Sequence, residues 1–420
     1  MGFVKIPVKG MCDITPSEMR LRQKLLTEIR QAYSKYGFEE IETPVMEHIE
    51  NLTSKQGGEN EKLIFKVMKR GAELERAKVS GKELADCGMR YDLTVPLARF
   101  YANNGAKLLS PFKAMQIGSV WRADNPQKGR FRQFVQCDID ILGDNTNFAE
   151  IELITATTDM LAQIFSQCDN PNITVHINDR RILTAAALKA GFTAEDVPSV
   201  LISLDKLDKI GYEGVGNELV AKGYSQNVVK GYLGIYKNSA EGISCTDFCN
   251  SVGCVDNEVV SGLAEIIDCC TVTTRNKAHI VFDPALVRGM GYYTGPIFEV
   301  SVDGFSSSVA GGGRYDEMIE KFSGVKTSAV GFSIGFERIV TILNDIGKGE
   351  LKLTEDGVAY LIEKGVSAEK KIEVFRQAQL LRETGVVTTV QPMKKNLKFQ
   401  IDELMKNGYT KITRVYAKEL

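Results

Sequence analysis

The sequence predicts a mixed α+β protein: an antiparallel sheet flanked by helices, a helical insertion, and a small C-terminal α/β domain. Three observations point to it. Strand-like stretches at 112–121 and 131–142 flank a short charged loop, the pattern of an antiparallel strand–loop–strand unit. Residues 178–268 change texture, being mostly helical with little strand signal. Beyond 356, strand and helix signals alternate regularly, which implies a mainly parallel sheet.

In chain order, 16–36 reads as an amphipathic helix. Met19, Leu25, Leu26, Ile29 and Tyr33 recur at helical spacing, and Gly37 can close it. Thr15 is a candidate N-cap with Glu18 three residues on, and Pro16 occupies the first helical position. A short strand is expected at 38–43, ending at Pro44, and a helix at 149–168. The insertion carries one compact motif, Leu204-Asp205-Lys206-Leu207-Asp208-Lys209. Strand signal returns at 280–282 and 297–302, before the glycine run Ala310-Gly311-Gly312-Gly313-Arg314. Such glycines permit a sharp turn or a close approach of backbone to ligand. Residues 328–343 read as a buried strand entering a helix, and 352–356 as a polar linker. The last domain is expected to run strand 358–362, helix 369–383, strand 386–390, a helix marked by Leu397, Ile401 and Leu404, and strand 412–416. Val374, Phe375, Ala378 and Leu381 are expected to share the inner face of its first helix.

The 420 residues suffice for two or three domains with a large core. Hydrophobic residues make up 43% and charged residues 25%, the balance of a soluble globular protein. A net charge of −2 announces no nucleic-acid partner globally, but residues 351–420 carry 13 Lys and Arg against 9 Asp and Glu. That local +4, leaving −6 elsewhere, has the sign an RNA-facing module needs. No apolar run approaches a membrane span of about 20 residues. The N-terminus lacks a signal-peptide layout, and Ile6 spoils the myristoylation cue at Gly2, so the cytoplasm is the expected location. Nine cysteines, an odd count, argue against a disulfide framework. The spacing of Cys245, Cys249 and Cys254 matches no zinc knuckle, so reduced, partly buried thiols are expected there.

Arginines dominate the candidate chemistry. Arg122, Lys128, Arg130 and Arg132 crowd the 122–132 loop, Arg288 precedes a glycine, and Arg338 lies in a glycine-flanked strand-to-helix segment. Guanidinium is the usual fork for phosphate and carboxylate. Several converging on one pocket suit phosphoryl chemistry, which is mainly positioning and charge neutralisation. The alternative is a solvated charged loop. The glycines form neither a Walker A nor a G-x-G-x-x-G pattern, so any ATP site belongs to another fold. Gln136, Asp138 and Asp140 fall on one face of a strand, able to line a cleft for a cation such as an amino group, or to face solvent at an edge. Asp92-Leu93-Thr94 adds further polar groups, and Tyr292, Tyr293 and Tyr315 lie beside glycines. The three histidines, His48, His176 and His279, form no metal spacing and no triad.

Together these segments resemble histidyl-tRNA synthetases over nearly the whole chain. Thr43-Pro44-Val45 resembles motif 1 of class II aminoacyl-tRNA synthetases. Val120-Trp121-Arg122-Ala123-Asp124 through Gly129-Arg130-Phe131-Arg132-Gln133-Phe134 resembles motif 2, and Gly331 to Arg338 motif 3. Leu286-Val287-Arg288-Gly289-Met290-Gly291-Tyr292-Tyr293-Thr294-Gly295 and Gly312-Gly313-Arg314-Tyr315-Asp316 resemble peptides particular to the histidyl enzymes. The resemblance implies the class II synthetase fold, with a catalytic core in 1–177 and 269–350, an inserted helical domain in 178–268, and a shortened anticodon-binding-like domain in 356–420. It implies histidine, ATP with Mg2+, and tRNA(His) as ligands, and a homodimer. Arg122 would hold the ATP α-phosphate and Arg338 the γ-phosphate, with Asp124 near the adenine, Phe134 stacked on it, and Arg130 in the loop that meets ATP and the acceptor end. Arg288 would bridge the histidine carboxylate and the α-phosphate. Asp92, Thr94, Gln136 and Asp140 would bind the α-amino group, and Tyr293 and Tyr315 would close on the imidazole. No metal-ligating residue is implied. Two departures stand out: Gly291 replaces an acidic residue usual in the family, and the chain stops after the third strand of a domain that generally continues. The rival is the non-catalytic, histidine-sensing regulatory subunit of ATP phosphoribosyltransferase, which shares the fold but has no need of the motif arginines. A generic RNA-binding scaffold would explain the basic domain but not those arginines.

Overall fold

A computed structural model describes residues 2–417 except 54–59, 127–129, 167, 169–170, 240–241, 254, 289–291, 306 and 350. Its largest element is an eight-stranded sheet, in the order Glu39–Glu40, Phe112–Trp121, Gln133–Leu142, Ala329–Ile334, Ala310–Arg314, Pro296–Val302, Ile173–Asp179 and His279–Phe282. Only the two outermost pairs are parallel. Strand alternation separates two environments on Gln133–Leu142: Ile139 and Ile141 point into the apolar core, while Gln136, Asp138 and Asp140 share the opposite face. Helix Phe148–Phe165 packs against this strand and Ala329–Ile334, burying Leu153, Ile154, Leu161 and Ile164. The strand expected at 38–43 shortens to Glu39–Glu40.

The glycine run is not a turn. Ala310–Arg314 is a buried strand in the middle of the sheet, paired on both sides. Phe298 and Phe332, on its two neighbours, meet across Gly312 with ring centroids 4.7 Å apart. A Cβ on Gly312 would lie 1.9 Å from the Gly331 carbonyl oxygen. Bulk is therefore excluded by the neighbouring strands.

Ile173–Asp179 and His279–Phe282 pair in parallel, which demands a crossover. The intervening chain supplies it as helices Arg180–Ala190, Val197–Leu204, Leu207–Ala221, Gln226–Lys237, Cys245–Val252 and Asn257–Thr273. Phe192, Tyr232, Tyr236 and Phe248 form its aromatic centre. The first of these strands runs through position 178, and the last helix through 268. Cys245 and Cys249 are buried free thiols one turn apart, and Cys254 lies outside the described residues.

By chain contacts, Met1–Asp13 and Leu25–Ile346 form one compact unit, and Ile14–Lys24 and Gly347–Leu420 a second. The first helix, Pro16–Ser34, spans both segments, and Thr15 Oγ1 meets the Ser17 hydroxyl at 3.2 Å. In the second unit three parallel strands stand in the order Thr388–Pro392, Gly357–Ile362, Tyr409–Val415, with helices Ala368–Glu383 and Leu397–Lys406. Val374 and Ala378 face its core, whereas Phe375 is 52% exposed, so the inner face is narrower than the spacing implied. Among the described residues, no helix is long and apolar enough to cross a membrane.

Because Phe298 is fully buried against Phe332, Phe298→Ala is expected to destabilise the large unit by about 3–5 kcal/mol. Chemical denaturation followed by tryptophan fluorescence, with Trp121 as the single reporter, checks this.

Candidate active site

Three strands, Gln133–Leu142, Ala310–Arg314 and Ala329–Ile334, and the segments that connect them to neighbouring elements line one cavity of about 400 Å³. All of the residues singled out by the resemblance line it: Arg122, Arg288 and Arg338; Asp124, Arg130 and Phe134; Asp92, Thr94, Gln136, Asp140, Tyr293 and Tyr315. Lys128 and Gly291 lie outside the described residues. Arg132 turns away, its Nε donating to the Asp124 carbonyl at 3.0 Å.

The cationic side is built first by strand ends. Arg122 leaves the Phe112–Trp121 strand and donates from Nε to the Tyr91 carbonyl at 2.8 Å, with its guanidinium 5.2 Å from the Phe134 ring centroid. Arg130 and Asp124 approach to 4.0 Å. Arg338 sits in the first turn of helix Phe336–Asp345 and donates to the Ser308 carbonyl and, at 3.1 Å, to its hydroxyl. Arg288 donates to the Glu299 carboxylate. A Cβ on Gly311 would fall 2.5 Å from the Arg288 guanidinium carbon, so the glycine strand makes the arginine's seat. Burial lowers the Arg338 pKa; Glu299 opposes this, and the charges of Arg288, Arg130 and Arg122 lower it further. Arg338 thus shares the cavity with three other guanidinium groups, an arrangement suited to a multiply charged anion.

The acidic side faces them. Gln116 Nε2 donates to the Leu93 carbonyl at 3.0 Å, which with the Arg122–Tyr91 bond fixes the loop that carries Asp92. Asp92 accepts the Val95 N–H at 3.2 Å, at the start of helix Thr94–Asn104. Tyr315 Oη donates to Asp140 at 2.5 Å. Ser333 Oγ donates to Asp138 at 2.5 Å and accepts from Gln136 Nε2 at 2.9 Å. Gly331 leaves room here too, since a Cβ would lie 2.1 Å from Asp140 Oδ1. Gln136, Asp138 and Asp140 are buried, so the solvent-edge alternative is excluded.

Burial pushes Asp92 up to about 6, against the Val95 N–H and Arg122. It pushes Asp140 up to about 7, opposed by the Tyr315 hydrogen bond and reinforced by Asp92. Asp138 stands well above the usual carboxylate range through burial and the Asp140 charge. Asp92 Oδ2 and Gln136 Oε1 are buried with no hydrogen-bond partner among the described residues. Buried acceptors left unpaired are costly, and this pair fits a ligand's cationic N–H donors. Tyr292 contacts both neighbouring rings, at 4.8 Å from Tyr293 and 6.0 Å from Tyr315.

Sequence reasoning did not single out Ser333, Glu337 or Glu299. Glu337 accepts the Val135 N–H at 3.1 Å, bracing the motif-2 strand against the motif-3 helix. Ser333 and Glu337 stood inside the quoted motif 3, whereas Glu299 had no local signal.

An antiparallel sheet that gathers arginines from a strand–loop–strand unit and from a strand-to-helix junction defines the class II aminoacyl-tRNA synthetase fold. A solved histidyl-tRNA synthetase from Nostoc sp. PCC 7120 superposes with a TM-score of 0.78 at 26% identity, covering 97% of this chain and 90% of that one. The family model described as histidyl-tRNA synthetase matches residues 10–339, and the chain belongs to that family. A histidine–tRNA ligase of Leifsonia xyli is 45% identical over 348 residues, 80% of each chain. One from Christiangramia forsetii is 32% identical over 399 residues, 91% of this chain and 86% of that one. A Bacillus halodurans structure named as an ATP phosphoribosyltransferase regulatory subunit/histidyl-tRNA synthetase shares the fold, with a TM-score of 0.77 at 18% identity.

The folded protein holds protons on Asp92 and Asp140 that the unfolded chain, with ordinary carboxylate pKa values, releases. Their contribution to stability is present below about pH 4 and is lost as pH rises through about 6 and 7. Asp140→Asn is therefore expected to gain melting temperature relative to the unsubstituted protein as pH rises from 5 to 8. Parallel pH profiles in scanning calorimetry would contradict the assignment.

Proposed function

We propose that this chain is a histidine–tRNA ligase: it activates histidine with ATP and transfers it to tRNA(His). The observation that carries the reading is one cavity with an arginine side and a buried acceptor side. The arginines Arg122, Arg288 and Arg338 suit a triphosphate. Asp92 Oδ2 and Gln136 Oε1, unpaired among the described residues, suit an ammonium group. A histidine-sensing regulatory subunit of ATP phosphoribosyltransferase needs the second half only, so the three arginines favour the ligase.

In this reading Asp92, Thr94, Gln136 and Asp140 hold the α-amino group, with Asp140 ionised against it. Tyr293 and Tyr315 enclose the imidazole. Arg122 holds the α-phosphate and Arg338 the γ-phosphate, while Asp124 and Phe134 face the adenine and Arg130 covers the phosphates. Arg288 bridges the histidine carboxylate and the α-phosphate. A carboxylate oxygen attacks the α-phosphorus in line; the bond to the bridging oxygen breaks, and pyrophosphate leaves with the electron pair. A terminal ribose hydroxyl of tRNA then attacks the histidyl carbonyl, its proton is lost, and AMP departs. Neither step needs a covalent protein nucleophile, so orientation and charge stabilisation supply the rate.

No group of three His, Cys, Asp or Glu suited to a metal is present among the described residues. Magnesium would be carried on the triphosphate, where it would neutralise phosphate charge. We further propose that residues 178–268 act as an inserted module beside a core of 1–177 and 269–350. Residues 356–420 would serve as the anticodon-facing module, their +4 balance favouring RNA. The working form would be a cytoplasmic homodimer.

The test is histidine-dependent exchange of labelled pyrophosphate into ATP by the pure chain with magnesium. Exchange is the expected result, and its absence would overturn the ligase reading in favour of the sensor. Arg288→Ala is expected to lower exchange by at least about a hundredfold, the scale of losing a transition-state donor, with its sedimentation unchanged. An unaltered exchange rate would show that the bridging role is misplaced.

A further inference from the structure

We infer that Glu299 is the positioning residue for Arg288: its carboxylate fixes the guanidinium over Gly311 in the orientation that adenylate formation uses. The inference rests on the ligase reading above. Arg288 and Glu299 pair directly, with side chains 24% and 30% exposed. The seat is set by strand register. Glu299 on Pro296–Val302 stands opposite Gly311 on Ala310–Arg314, and the missing Cβ of Gly311 is the space the guanidinium fills. Arg288 lines the cavity, whereas Glu299 does not. Glu299 therefore reaches the cavity through the arginine it pairs with, and through its charge on Arg338.

Its other side is occupied differently. The register partner of Glu299 on the next strand is His176, which is engaged with Asp283 at 3.3 Å and with the Ser301 hydroxyl at 3.0 Å. His176 also feels the Glu299 charge, but the direct ion pair of the Glu299 carboxylate is with Arg288.

Arg288 needs such a partner. Burial disfavours its charge, which Tyr293, Glu299 and Tyr292 oppose, and it shares the cavity with Arg338, which is in the field of both Arg288 and Glu299. A carboxylate behind it offsets both penalties and fixes the guanidinium, which also meets the cavity residue Tyr293. The insertion contributes to the same balance: Asp205, in the compact 204–209 motif, is in the field of Arg288 and of Glu299.

The experiment is pyrophosphate exchange by the full chain and its variants, with kcat and KM resolved for ATP and histidine. Glu299→Gln keeps shape and removes charge. It is expected to lose roughly tenfold to a hundredfold in kcat, the cost of misplacing a catalytic group, with little change in either KM. Glu299→Asp should recover part of the loss. In an Arg288→Lys background, Glu299→Gln should add little further loss, because the group it positions is already gone. A Glu299→Gln enzyme with full kcat, or the same fold-loss in both backgrounds, would overturn the positioning role while leaving the ligase reading intact. A wild-type chain with no exchange would overturn that reading, and this role with it.

Discussion

Charge held close to like charge, away from bulk water, is the constraint that organises the large unit. Four guanidinium groups and three buried aspartates share one cavity, and each set is only partly compensated by protein. Folding tolerates this because the groups are fixed from behind. Tyr315 and Ser333 hold Asp140 and Asp138, while backbone carbonyls hold Arg122 and Arg338. The residual imbalance is what a ligand carrying both an ammonium and a polyphosphate-facing carboxylate would relieve. Stability sacrificed at the site thereby becomes binding selectivity.

The glycines are the structural counterpart of that constraint. A central strand without side chains at 311 to 313 cannot be justified by strand propensity, since glycine weakens strands. It is justified by what stands over it. The Arg288 guanidinium occupies the space above Gly311, Tyr293 packs against Gly313, and across the next ladder Asp140 and Tyr315 occupy the space at Gly331. The sheet is thinned beside the cavity, and the flanking Phe298 and Phe332 carry the packing instead.

Much of this was legible in the chain. The alternation in 131–142 separated Ile139 and Ile141 from Gln136, Asp138 and Asp140, because a strand has a two-residue period and one buried apolar face. The helical texture of 178–268 and the alternating elements after 356 followed from the 3.6-residue period. Ten of the twelve named cavity residues stood out by residue type and local pattern; Asp124 and Phe134, and the gathering of all twelve into one site, came through motif resemblance, which encodes tertiary proximity that spacing alone does not. What stayed hidden depended on partners distant in sequence. Ala310–Arg314 looks like a turn until its two neighbours are in place. Phe375 completes an apolar period yet lies outside the packed face. Glu299 gave no local cue, because its significance is a pairing across a reversal of the chain.

The central claim is that the acidic and cationic sides of the cavity serve one ligand pair. Its most direct test is a crystal structure with histidine and a non-hydrolysable ATP analogue bound together. The α-ammonium is expected within hydrogen-bond distance of Asp92, Gln136 and Asp140, and the carboxylate and α-phosphate both on Arg288. Histidine bound elsewhere, or phosphates that bypass Arg122 and Arg288, would contradict it.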